Sequence, residues 1–129
     1  MRAELGALAA SPEENLNIIG EHLATGMTAV EDVCNWISDY SGNNPDTIGV
    51  GAKYFLLLFG NVTAGCLHAK IALQTVDFLG DDLTSESFLS GRILSARYFA
   101  GQIMSQFSQL SEIVKNGPES VLAIKKSQF

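Results

Sequence analysis

Long segments with apolar residues at three- and four-residue steps dominate this chain, and few residues interrupt them. The 129 residues include only 3 prolines. Ser11 and Glu14 have the spacing of a capping box, with Pro12 suited to the first turn, so a helix is predicted to begin there. One apolar stripe follows, typical of a helix that buries one face. Its members are Leu16, Ile19, Leu23, Met27, Val30, Val33 and Ile37.

A second long helix is predicted after Gly42, which can end the first one in a left-handed conformation. Two stripes predict two sets of neighbours, so we expect this helix to be central in the fold. With Phe59 buried, Phe59→Ala would then destabilise the fold by about 3–5 kcal/mol. The stripes are Val50, Tyr54, Leu57, Ala64 and Ile71, and Phe55, Phe59, Val62, Cys66, Ala69, Leu73 and Val76.

The most apolar part of this helix lies between Lys53 and Lys70. Residues 54–69 form an uncharged run of about 16 residues, shorter than the roughly 20 that a bilayer requires. Asn61 and His68 reduce its apolarity further. We therefore expect a helix buried within a soluble protein, and no membrane partner.

A third long helix is predicted after Gly80 as a stop, with Thr84 or Ser85 as its cap. Its stripe is Leu89, Ile93, Ala96, Ala100, Ile103, Phe107, Leu110 and Val114, ended by Lys115, Asn116, Gly117 and Pro118. Val121, Leu122 and Ile124 are expected to fold back as a short turn. The fold predicted for residues 1–129 is all-α. It is a single antiparallel up-down bundle of three long helices, a short N-terminal helix and a short C-terminal turn.

Charge and cysteine content narrow the possible partners and compartment. The formal net charge of -6 disfavours nucleic-acid binding, which requires a basic surface. Cys34 and Cys66 are the only cysteines, and both lie within apolar helical patterns. They are predicted to be buried free thiols of a reducing compartment, which indicates a cytoplasmic location.

The motifs of catalytic and metal sites are missing from the sequence. Neither His22 nor His68 follows a glutamate by three, as a di-iron bundle would require. No Gly-x-Ser-x-Gly elbow occurs, and residues 49–51 lack the third glycine of a dinucleotide fingerprint. We therefore predict no catalytic, cofactor-binding or metal-binding residues in this chain, and a structural role for His68.

Arg92 and Arg97 stand out in the third helix, because no acid lies between residues 87 and 110. They are about 140° apart around a helix and cannot form one clamp. Each could pair with an acid of the first long helix. Alternatively, they could contact another domain or subunit, or take part in catalysis. The two arginines are the candidate interdomain or subunit contacts.

Three segments resemble the C-terminal helical domain of acyl-CoA dehydrogenases of the 3-methylmercaptopropionyl-CoA dehydrogenase type. They are SFLSGRILSARYFAGQ, YFLLLFGNVTAGCLHAKIAL and ESVLAIKKSQF, which together span most of residues 54–129 in the order and spacing of that domain. Cys66 stands where an aromatic residue is usual. The residues of the first segment that match the family pattern unchanged are Phe88, Ala96, Arg97, Phe99 and Ala100.

The resemblance implies an accessory role. Enzymes of this family are oxidoreductases that bind FAD and oxidise the Cα–Cβ bond of an acyl-CoA thioester with a glutamate base, in domains that precede this one. It therefore implies a non-catalytic domain that supports enzyme stability or dimer assembly. Its partners would be the flavin- and acyl-CoA-binding domains and further copies in a homo-oligomer, with FAD in the parent. A freestanding helical module for protein–protein interaction or oligomerisation is the alternative.

Overall fold

The computed structural model describes residues 2–40, 45–80 and 85–128, and these residues form helices without any strand. The all-α prediction is therefore confirmed for this part of the chain. Short 3₁₀ turns lie at Met104–Gln106 and Lys126–Gln128. The helices are α1 (Arg2–Ala9), α2 (Glu14–Tyr40), α3 (Pro45–Asp77), α4 (Glu86–Gln102) and α5 (Phe107–Ala123).

Helix α2 begins at Glu14, two residues later than a start at Pro12 would place it. The Ser11 hydroxyl accepts a hydrogen bond from the backbone N–H of Glu13 at 3.2 Å, which closes a local turn and does not cap the third helical residue. The carbonyl of Glu13 accepts the first helical bonds. The predicted stripe of α2 is confirmed, with Leu16, Ile19, Leu23 and Val33 buried and Met27, Val30 and Ile37 partly buried.

Helix α3 packs against all four other helices, but only along one side. The prediction that both of its stripes are buried is wrong: Phe59 is 52% exposed, and Leu57 and Ile71 are exposed as well. Periodicity predicted which apolar residues share a side of α3. The other helices, however, pack against only one side of it. The buried residues are Gly51, Leu58, Val62, Gly65, Ala69, Ala72 and Thr75.

The third long helix is interrupted at residues 103–106. The Ile103 N–H still bonds the Phe99 carbonyl at 2.9 Å, and the following bond, from Gln106 to Ile103, has the tighter 3₁₀ spacing. This turn shifts the register, so that Met104 is buried and Ile103 only partly buried. The Met104 thioether then packs beside Gly65 of α3, which is why the interruption is accommodated.

Helix α5 continues through Gly117 and Pro118 to Ala123, so the predicted stop at Lys115–Pro118 is wrong. Proline removes the N–H that would bond the carbonyl of Val114. That carbonyl lies against Gly51 of α3, and Pro118 itself is buried. Gly117 has no Cβ to clash with the proline ring. The helix therefore continues through a buried proline, where local sequence predicted an end.

The predicted C-terminal fold-back is also wrong, because Val121, Leu122 and Ile124 remain exposed. Gly80 has a φ of 90°, as a helix stop of this kind requires, and α3 ends three residues before it. Ser85 occupies the N-cap position of α4 without a side-chain hydrogen bond to the helix. Gly42 and Thr84 lie outside the described residues, so their roles as a helix stop and a helix cap stay predictions.

The core is centred where α2, α3 and α5 meet. Phe107 is fully buried, and its ring lies directly over Gly26 of α2. A Cβ at Gly26 would also lie 3.0 Å from Val62 of α3. Leu8 docks α1 onto Gly20 of α2 in the same way. Glycines at these crossings let the helices approach closely, which offsets their weak helix propensity.

Candidate interaction surface

Large apolar side chains lie together on the solvent side of α3 and continue onto α4. Leu56 is 72% exposed and Leu67 is 58% exposed, although both belong to a long apolar helix. We call this surface the outer face. An exposed apolar patch of this kind marks an interaction site more often than a scattered exposed residue does. The outer face consists of Leu56, Phe59, Leu67 and Ile71 of α3 and Phe88 of α4.

Helix α3 is also long and apolar enough to cross a membrane by length and composition, and 28% of its most apolar window is buried. A single helix of this kind is weak evidence for a membrane span, because mostly buried core helices of soluble proteins and N-terminal signal sequences pass the same test. The expectation that the chain has no membrane partner stays a prediction.

A groove of about 500 Å³ adjoins the outer face between α3 and α4. Its walls include Ile71, Phe88 and Arg92, and the Arg92 guanidinium lies 5.3 Å from the centre of the Phe88 ring. His68 borders the groove and stacks on Phe99 with ring centroids 4.5 Å apart. Arg92 therefore contacts an aromatic face and is available to a partner, because such cation–π contacts at exposed sites are worth only about 0.5–1 kcal/mol.

Arg97 lies elsewhere on α4. It is partly buried, and its guanidinium Nη1 would be 3.1 Å from a Cβ built on Gly101. Arg92 and Arg97 are therefore apart in the structure. This agrees with the prediction from their spacing that they cannot form one clamp. Within residues 2–40, 45–80 and 85–128, neither forms an ion pair with a carboxylate. The alternative in which each pairs with an acid of α2 has no support there.

A second, more polar groove of about 490 Å³ lies between α2 and α5. Lys115 Nζ is 2.9 Å from Glu112 Oε1, and the Asn116 amide donates to Glu112 Oε2 at 2.8 Å. These hydrogen bonds hold the pKa of the Glu112 carboxyl below its usual value. Because Glu112 is exposed, this is a solvated surface pair of the ordinary kind.

The described thiols differ in exposure, and the described thiols and acids form no metal centre. Cys34 is exposed, so its predicted burial is wrong, while Cys66 is partly buried and burial raises the pKa of its thiol. Among the described residues, no group of three or more His, Cys, Asp or Glu side chains is placed to hold a metal. That the whole chain lacks catalytic, cofactor-binding and metal-binding residues stays a prediction.

Sequence reasoning missed the exposure of Leu56 and Leu67. The available signal was the width of the apolar pattern on α3, which covers most of the helix circumference between Lys53 and Lys70. A bundle with this few helices does not surround such a helix, so part of an all-round apolar surface has to face outward.

These features define an all-α bundle domain with an exposed apolar surface. Residues 1–125 match the model of the family described as acetyl-CoA dehydrogenase C-terminal like, and the chain belongs to that family. No curated protein and no solved structure gives a significant match to the chain. The family assignment agrees with the resemblance to acyl-CoA dehydrogenases, while the 3-methylmercaptopropionyl-CoA dehydrogenase type stays a prediction.

Proposed function

We propose that this chain is the non-catalytic C-terminal domain of an FAD-dependent acyl-CoA dehydrogenase-like protein, where it supports enzyme stability or dimer assembly. The family match over residues 1–125 is the observation that carries the proposal. The outer face adds a physical reason, because an exposed apolar patch gains free energy when a partner covers it. The partners are the flavin- and acyl-CoA-binding domains of the parent protein, in a cytoplasmic homo-oligomer.

We place the FAD site in the other domains of the parent protein because of the shape of the grooves in this domain. Cofactor sites enclose most of their ligand in a concave pocket. The grooves beside Arg92 and Glu112 are partly open to solvent, so they would enclose a flavin incompletely. Any redox chemistry is therefore expected from FAD bound in the other domains.

The purified chain alone is expected to be colourless and inactive. Incubation with FAD, an acyl-CoA and an artificial electron acceptor should give neither flavin absorbance after desalting nor acceptor reduction. The positive control is a complete acyl-CoA dehydrogenase under the same conditions. Turnover by the isolated chain would contradict the proposal.

Arg97→Ala is expected to weaken binding to the flavin-containing domains more than it lowers the free energy of unfolding of the isolated chain. The structure gives Arg97 no ion pair to lose among the described residues, so the fold should lose only the packing of this partly buried side chain, about 1 kcal/mol or less. Chemical denaturation and calorimetric titration against the parent domains measure the two quantities. Equal losses in both would assign Arg97 a purely structural role.

The alternative is a freestanding oligomerisation module, favoured by the same outer face. The DNA upstream of residue 1 separates the two functions. A continuous reading frame that encodes flavin-dehydrogenase domains supports the accessory domain. A true start codon at Met1 supports the freestanding module.

A further inference from the structure

We infer that the outer face binds a second copy of this chain, with the two α3 helices packed antiparallel across a twofold axis. This inference rests on the proposed role in assembly and assigns that role a surface and a register. The axis passes beside α3 midway between Asn61 and Val62. Two-fold interfaces bring the same patch of both copies together, so the patch must be complementary to itself.

The sequence of the exposed stripe has this complementarity. Leu56 and Leu67 are eleven residues apart, which is about three helical turns, so both project from the same side of α3. In the antiparallel register, Leu56 lies opposite the partner's Leu67 on one side of the axis, and Leu67 lies opposite the partner's Leu56 on the other. Each exposed leucine thus meets an exposed leucine.

Small residues lie between these leucines and allow the helices to approach. A Cβ built on Gly60 would meet nothing within 4 Å, so that position is open to a partner. Thr63 is opposite Gly60 in the twofold register, and its hydroxyl already donates to the Phe59 carbonyl at 2.8 Å. The hydroxyl therefore does not need water, and the pairing would bury no unsatisfied group there. Phe59 lies about 70° around α3 from the Leu56–Leu67 direction, so it would border the interface at its edge.

Charges occur only at the ends of this stripe, and they are compatible with the pairing. Lys53 and the partner's Lys70 would lie at the same height on opposite flanks of the interface, where they repel only weakly. Lys70 Nζ lies 3.3 Å from Glu4 Oε1, so a carboxylate accompanies Lys70 at each end of the interface. Between Lys53 and Lys70 the face is uncharged, and the pairing leaves no charge buried without a partner.

The area of the outer face indicates a reversible dimer. From the exposed fractions of its five side chains, each copy can contribute on the order of 500 Å² of apolar surface. Stable interfaces use about 800 Å² per partner, so this one lies at the low end. Dimerisation is therefore expected in the micromolar range, and the parent enzyme would strengthen it by holding two copies together.

Charge-swap variants test the register. Leu56→Glu and Leu67→Lys should each raise the dimer dissociation constant at least about tenfold, because each places a charge against a leucine. The double variant should recover affinity, since the carboxylate at position 56 then meets the ammonium at position 67 of the partner. Within one chain these positions are about three turns apart and cannot pair. Sedimentation equilibrium measures the dimer dissociation constants of the unchanged chain, the two single variants and the double variant.

Leu94→Glu is the matched control, because Leu94 is 56% exposed on α4 outside the outer face, and it should leave dimerisation unchanged. Circular dichroism should show unaltered helices in every variant.

A monomer throughout the micromolar range would overturn the inference, as would equal weakening by Leu94→Glu. Dissociation by both single variants without recovery in the double variant would overturn the register. A monomer that co-sediments with phosphatidylcholine vesicles would assign the face to a membrane.

These results are separable from those on the flavoenzyme. A chain that dimerises but does not bind or stabilise the flavin-containing domains overturns the proposed function alone. A monomeric chain that still binds those domains overturns only the antiparallel dimer.

Discussion

Phe107→Ala is expected to lower the free energy of unfolding by about 3–5 kcal/mol, the range for a buried aromatic residue truncated to alanine. Phe107 is fully buried at the start of α5, where α2, α3 and α5 meet. Its ring covers Gly26, which has no side chain to fill the cavity that truncation would leave. Urea denaturation followed by circular dichroism measures the change.

Phe59→Ala is the matched control, with an expected loss under about 1 kcal/mol when the chain is dilute enough to be monomeric. The two residues have the same side chain, but Phe59 is 52% exposed and Phe107 is buried. Losses of similar size at both positions would contradict the one-sided packing of α3. They would instead support the burial of Phe59 that periodicity alone predicted.

Gly26→Ala is expected to destabilise the fold by about 1–3 kcal/mol, although alanine is the better helix former. The added methyl group would overlap the Phe107 ring and lie 3.0 Å from Val62 Cγ2. Because the ring is enclosed by the core, it cannot move aside without opening a void elsewhere. The midpoint of urea denaturation should fall with little change in slope.

Gly91→Ala is the same chemical change as Gly26→Ala, but we expect it to raise the free energy of unfolding. Gly91 lies in α4, and a Cβ there would meet nothing within 4 Å. The substitution should therefore stabilise the chain by up to about 1 kcal/mol through helix propensity alone. If Gly26→Ala were also stabilising, α2 and α5 would have to be farther apart than the structure places them.

The family and the helical content could be predicted from the sequence because both depend on local patterns. The spacing of Leu16, Ile19 and Leu23 selects a helix and the face that it buries, whichever helix covers that face. Family motifs are likewise read residue by residue, and Arg97 and Phe99 were identified in this way. The separation of Arg92 from Arg97 follows from helix geometry alone.

The ends of helices depended on contacts that local sequence does not contain. Pro118 was predicted to end a helix, but it is buried, and the Val114 carbonyl that it leaves without its helical donor lies against Gly51, 63 positions before Val114. The break at residues 103–106 likewise depends on the space that Gly65 leaves for Met104. Both outcomes were decided by α3, which packs beside them.

By itself, the sequence determined that this protein is a bundle of amphipathic helices of the acyl-CoA dehydrogenase C-terminal type. Only the tertiary structure decided which apolar residues are buried. Leu58 and Leu56 are equally hydrophobic, yet one is fully buried and the other is 72% exposed. Periodicity reports the direction in which a side chain points, whereas burial also requires a neighbouring helix in that direction. Along the outer face of α3 this chain supplies none among the residues described.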